Sequence, residues 1–224
     1  MALFLTPHLE ILPPPQQRLW GELRQVPEEF TLYGGTALAL RLGHRQSADF
    51  DFFGSRDLDP LSFADTIAFL RDAPVVQREK NTYSALVDRD GPVRVSFFGV
   101  PALRRLEDPD VVAANGLRVA TLLDLAGTKA SVVQVRGEAK DYLDIDALMT
   151  AGVSLPRALA AAKAIYGPSF NPQITLKALS YFKDGNLVRL PDEMKNRLAA
   201  AARDVDLDRL PEIAITREHS GHER

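Results

Sequence analysis

Before Gly152 short strand-like apolar runs are mixed with stretches of helical spacing; after it apolar residues recur at helical spacing on alanine-rich stretches. Three prolines, Pro13 to Pro15, precede a predicted helix from Gln16 to Val26, carried by Leu19, Trp20, Leu23 and Val26. Phe30 to Tyr33 reads as a short buried strand, Gly34-Gly35 as a turn, and Thr36 to Leu42 as a short helix. Asp49 to Phe53 alternates as a second strand, and Pro60 introduces a predicted helix from Leu61 to Arg71. Tyr83 to Val87 and Val93 to Phe98 flank Asp88-Arg89-Asp90-Gly91, a hairpin signal. Thr121 and Asp124 resemble a capping box for a helix reaching Val135, and Gly137 separates it from a helix over Glu138 to Met149. Further helices are predicted over Leu155 to Ile165, Pro172 to Phe182 and Pro191 to Val205, with Ser154 and Asn171 as N-caps. The fold class is therefore α+β, a mixed half followed by an all-helical half.

Composition narrows the functional classes. Of 224 residues, 46% are hydrophobic and 25% charged, ordinary for a globular chain with a real core. A net charge of −3 does not advertise nucleic-acid binding, although a local basic patch is a separate quantity. The absence of cysteine excludes disulfides, thiol catalysis and cysteine metal sites. His8, His44, His219 and His222 are too scattered for a zinc site. The opening MALFLTPHLEILPPP has no basic start and no long apolar run, and no stretch approaches the ~20 apolar residues of a membrane span. The expectation is a cytoplasmic protein without a membrane partner.

The densest chemistry lies in Tyr33 to Phe53, YGGTALALRLGHRQSADFDFF. A strand, two glycines and a helix start make an anion site, because glycine lets a phosphate approach the backbone and the helix start offers unpaired N–H groups. Thr36 adds a hydroxyl; the alternative is a plain tight turn. Asp49 and Asp51, two apart on a strand, point to one face among Phe50, Phe52 and Phe53. Paired carboxylates beside apolar residues repel each other, and a divalent cation relieves that cost; oxygen ligands suit Mg2+ or Mn2+. The alternative is a solvated acidic strand end. Arg41, His44, Arg45 and Ser47, between glycines and acids, are placed to neutralise carboxylates or contact phosphate.

A second constellation follows. Leu122, Ala126, Lys129 and Val133 share helical spacing, so Lys129 stands on the apolar stripe, either snorkelling from its edge or aimed into a site. In RGEAKDYLDIDALM, Asp141 and Asp144 share a face and need a cationic partner, for which Lys129 and Arg136 are candidates. Lys140 and Asp144 have the spacing of a simple ion pair.

Together, GGTALALRLGHRQSADFDFF and K-x6-R-x3-KDYLDI (Lys129, Arg136, Lys140 to Ile145) resemble the nucleotidyltransferase AbiEii/AbiGii toxin family. The resemblance covers roughly Phe30 to Met149. It implies a fold of the polymerase-beta nucleotidyltransferase type: a small mixed sheet with flanking helices in residues 1–120, a helical domain in 121–215 that completes the active site, and a disordered tail, 216–224. It implies the toxin half of a toxin–antitoxin or abortive-infection system, with a nucleoside triphosphate (NTP) substrate, Mg2+, a cognate antitoxin, and tRNA as acceptor in some members. Carried over, Gly34, Gly35 and Thr36 hold the triphosphate with Arg45 and Ser47 nearby. Asp49 and Asp51 hold the metal, Lys129 contacts phosphate, and Asp141 completes the catalytic set beside Lys140 and Asp144.

One departure is evident. Such enzymes commonly carry a third carboxylate on a later strand, and here VRVSFFG offers Ser96, with Arg94 and Phe98 on its face. Two readings follow: a transferase that recruits Asp141 or Asp144 as base, or a nucleotide-binding interaction protein without efficient transfer.

Overall fold

The computed structural model describes residues 4–216. Of the tail expected at 216–224, residues 217–224 lie outside them. Thr216, at its start, is held: its N–H donates to the Arg105 carbonyl at 3.1 Å and its hydroxyl to that of Leu106 at 2.7 Å. The chain divides into two compact units, Met1–Leu103 with Pro109–Leu125, and Arg104–Asp108 with Ala126–Arg224.

The first unit is built on one mixed sheet. Its strands are β1 (Phe4–Leu5), β2 (Thr31–Tyr33), β3 (Asp49–Gly54), β4 (Val75–Glu79), β5 (Thr82–Asp88), β6 (Pro92–Gly99), β7 (Asp110–Val112) and β8 (Arg118–Val119). Their order among the described residues is β1-β7-β8-β2-β3-β6-β5-β4. β3 pairs antiparallel with β2 and parallel with β6, so it lies in the middle of the sheet.

Alternation along β3 decides what each face carries. Phe50 and Phe52 are buried, and Phe52 stacks on Phe97 at 5.0 Å between ring centroids. Phe63 and Phe30 close this side, edge-on to Phe97 at 4.7 and 5.2 Å. Asp49, Asp51 and Phe53 project to the opposite face.

Helix α1 (Pro14–Leu19) continues into a 3-10 helix, Trp20–Gln25, rather than running regularly to Val26. The helix expected over Leu61 to Arg71 is broken. Only Phe63–Thr66 (α3) is α-helical; Ile67 is extended and fully buried, and a 3-10 turn follows over Ala68–Leu70. The Ala68 N–H is taken at 3.0 Å by the side chain of Gln25, a distant partner that replaces the next helical bond.

The second unit is helical. It holds most of α4 (Leu122–Val135), then α5 (Ala139–Thr150), α6 (Leu155–Tyr166), α7 (Pro172–Ala178) and α8 (Asp192–Arg203). The Thr121 hydroxyl accepts from the Asp124 N–H at 3.3 Å and donates to its carboxylate at 3.0 Å, the capping interaction expected at the start of α4. Asn171 caps α7 through the Gln173 N–H; Ser154 makes no side-chain cap bond. α7 stops four residues short of Phe182, and a 3-10 segment, Gly185–Arg189, leads toward α8. α4 and α6 pack closely: a methyl group on Gly127 would stand 2.8 Å from Ile165 Cδ1 and 3.0 Å from the Ala161 backbone.

Candidate active site

In the first unit, helix α2 (Gly34–Leu42) starts directly from β2, so both glycines are its first helical residues. The N-cap residue, Tyr33, makes no side-chain cap bond, and a helix start carries N–H groups without intrahelical partners at its positive pole. Gly34 has φ +74°, which a side chain would resist. A methyl group there would stand 3.0 Å from Asp51 Oδ2. On Gly35 it would come within 2.6 Å of an Arg45 guanidinium nitrogen and 2.8 Å of the Ser47 hydroxyl. The two glycines thus open the space into which Asp51, Arg45 and Ser47 project. Tyr33 pairs with Asp51 across the β2–β3 ladder, which brings the carboxylate beside the helix start.

Thr36 is buried, and its hydroxyl donates to the Asp49 carbonyl. That bond ties α2 to the start of β3 and commits the single hydroxyl proton to the backbone. Arg41 faces elsewhere. Its guanidinium donates to the carbonyls of Ala120 and Val119 and pairs with Asp110 at 2.7 Å, clamping β7 and β8 to α2. Arg41 is therefore structural and not a phosphate contact.

Ser96 stands opposite Asp51, and Arg94 opposite Asp49, in the parallel β3–β6 ladder. Parallel partners share a face, so the place read from the sequence for a third carboxylate holds a serine. Ser96 is buried, and the buried Ser84 donates to its hydroxyl at 3.0 Å. Asp88 accepts from the Gly91 N–H in the hairpin turn, and Asp90 pairs with Arg18, so neither replaces the missing acid. Among the described residues no group of three or more His, Asp or Glu side chains converges as a metal cluster. Asp49 and Asp51 form a two-carboxylate set.

In the second unit, Lys129 does not snorkel. Its ammonium is buried between Asp141 Oδ1 at 2.8 Å and Asp144 Oδ2 at 2.6 Å. Arg136 grips Asp141 with two further bonds, Nε to Oδ2 at 2.8 Å and Nη2 to Oδ1 at 3.2 Å. Burial opposes charge on Asp141, but the hydrogen bond from Arg136 and the nearby Lys129 outweigh it and hold its carboxyl below the usual range. With both oxygens engaged, Asp141 is a weak base. Lys140 does not pair with Asp144; it is exposed and pairs with Glu138 at 2.8 Å. No local pattern signals the bidentate bond from Arg197 to Asp146, at 3.1 and 2.8 Å, since 51 positions separate the two.

Residues 18–214 match the family described as nucleotidyl transferase AbiEii toxin, type IV toxin–antitoxin system. The chain belongs to the AbiEii nucleotidyltransferase toxin family. A relative from Aquifex aeolicus (strain VF5), an uncharacterized protein, is 34% identical over 159 residues, covering 70% of this chain and 75% of its own. Two solved structures share the fold of this AbiEii-family chain at 16% identity. One is MenT4, a nucleotidyltransferase toxin of Mycobacterium tuberculosis H37Rv, with a TM-score of 0.58 over 86% of this chain and 83% of its own. The other is an H. pylori protein assigned as a nucleotidyltransferase, with a TM-score of 0.55 over 84% and 91%. No helix among the described residues is long and apolar enough to cross a membrane.

Proposed function

We propose that this AbiEii-family chain binds an NTP with a divalent cation at the Gly34–Asp51 site and transfers its nucleotidyl group to tRNA or another macromolecule. The cognate antitoxin of such a system restrains it. The observation that carries this reading is the shared space at Gly34, where a helix N-terminus and the Asp51 carboxylate converge. One feature attracts phosphate and the other attracts a cation, and Mg-NTP brings both.

Asp49 and Asp51 fit magnesium or manganese, since both offer oxygen ligands from the same face of β3. Such an ion supplies charge neutralisation for a triphosphate and its leaving group. The chain's own groups do the rest. The Gly34 and Gly35 backbone receives phosphate oxygens, and Arg45 and Ser47 beside Gly35 orient them. Phosphoryl-type transfer needs chiefly this positioning and charge compensation. Lys129 and Asp141 are proposed to serve activity, with Asp144 holding the other side of the Lys129 ammonium. Lys140, exposed in the same motif, is proposed to contact the nucleotide.

The test is label transfer. Purified protein is incubated with total tRNA, Mg2+ and each α-labelled NTP in turn, beside Asp51→Ala. Label on RNA that disappears in the mutant is expected. A second reading, nucleotide binding without efficient transfer, is favoured by Ser96 opposite Asp51. NTP binding with no label on RNA or protein would select it.

A further inference from the structure

Many cations in the second unit are ion-paired: those of α4 and α5, and Lys195 and Arg197 on α8. Between Gly152 and Pro191 the arrangement differs. Arg157, Lys163, Lys177, Lys183 and Arg189 face a single acidic residue, Asp184. All five are exposed, and none is ion-paired among the described residues. Asp184 instead accepts from the Tyr181 hydroxyl at 3.3 Å. Two tyrosines are exposed in the same stretch, Tyr166 by 38% and Tyr181 by 48%, a large area to leave in water.

Unpaired cations on a solvated surface are unremarkable when acids are interspersed. Here they are concentrated in a chain whose net charge is −3, so the remainder is more acidic still. With five cations against one acid, this stretch carries a local positive charge that attracts a polyanion. Exposed tyrosines among cations match single-stranded nucleic acid, whose phosphates pair with Lys and Arg while its bases stack on aromatic rings. An acidic polypeptide would use the cations but has no planar bases to stack.

We infer that α6, α7 and the 3-10 segment before α8 form an RNA-docking surface, with Lys177, Lys183 and Arg189 contacting phosphates and Tyr181 stacking a base. This rests on the transferase reading only in that it concerns the RNA named there as acceptor.

Full-length protein would be titrated into a fluorescein-labelled tRNA fraction at several salt concentrations, followed by anisotropy. The triple variant Lys177→Gln/Lys183→Gln/Arg189→Gln is compared with a charge-matched control in the first unit, Arg24→Gln/Arg71→Gln/Lys80→Gln. The docking variant is expected to lose about tenfold in affinity and to flatten the log K against log salt slope by about 2, because fewer counterions are released per complex. The control is expected to keep most of both. Tyr181→Ala is expected to weaken binding without changing the slope. Equal losses in the two triple variants, no RNA binding by wild type, or equally tight binding of poly-glutamate would each overturn the surface. NTP binding and label transfer are read in parallel. Undiminished transfer to RNA by the docking variant at limiting RNA overturns the surface while leaving the transferase intact. A slope that flattens in a protein that never transfers label keeps the surface and removes the transferase.

Discussion

Ser96 lies directly across from Asp51 in the β3–β6 ladder, with Ser84 donating to its hydroxyl. Ser96→Asp would put a third carboxylate there. Without a divalent ion the variant should be less stable than wild type by about 3–5 kcal/mol, as expected for an uncompensated buried charge. Mg2+ or Mn2+ should restore more stability to it than to wild type. Thermal melts in EDTA and in each metal measure this; a variant indifferent to both metals would place the cation elsewhere.

Gly34 and Gly35 should respond differently to alanine. Gly34→Ala combines a left-handed backbone, costing about 1–2 kcal/mol, with crowding of Asp51. It should lose both stability and NTP affinity. Gly35→Ala meets the end of Arg45, which can swing away, and the Ser47 hydroxyl. Stability should change little while NTP affinity falls, about tenfold if one charge-assisted hydrogen bond is lost. Equilibrium unfolding and nucleotide titration separate the two effects.

The Lys129–Asp141 pair should tune stability to pH. Asp141 is charged in the fold with a carboxyl held below its ordinary value. Its stabilisation is fully present above the unfolded carboxylate value near ~4 and fades as pH falls below it. Asp141→Asn should cost about 3 kcal/mol at neutral pH, where it leaves Lys129 and Arg136 undercompensated. The gap to wild type should narrow in acid. Urea unfolding across pH checks this, and a gap that widens in acid would reverse the assignment.

Gly127→Ala should destabilise the second unit by about 1–3 kcal/mol through overpacking of α4 against α6. Ile165→Val removes the Cδ1 contact but not the Ala161 backbone contact, so the double variant should recover only part of the loss. Thermal melts of both variants measure the recovery.

Much of the site was readable because its signals are local. Two acids two positions apart on a strand must share a face, and β3 places them so, with Phe50 and Phe52 behind. Lys129 on an apolar stripe could snorkel or point inward, and two acids three apart on α5 called for a cation; the structure buries Lys129 between them. Long-range partners were not readable. Gln25 takes the Ala68 N–H from 43 positions away, and Arg41 is diverted to Asp110 from 69. Edge strand β4 was missed because all its residues are exposed, which erases the alternation that marks a half-buried strand. β1 and β8, at two residues each, are too short to show any period.

The strand order also bears on when this fold can exist during synthesis. β3 to β6 lie within Asp49–Gly99 and need no later sequence to pair. β2, which bears the glycines at its end, has β8 as its other neighbour, and β1 waits for β7. Until the ribosome has released residues near 120, Arg41 lacks two of its three partners, the Val119 and Ala120 carbonyls, and one side of β2 lacks its strand. A nascent chain stopped short of that point carries both aspartates on a formed ladder beside a helix start not yet clamped in place. Contacts so distant in sequence also slow folding. The interval before the site is complete is thus set by the position of β7 and β8 in the chain.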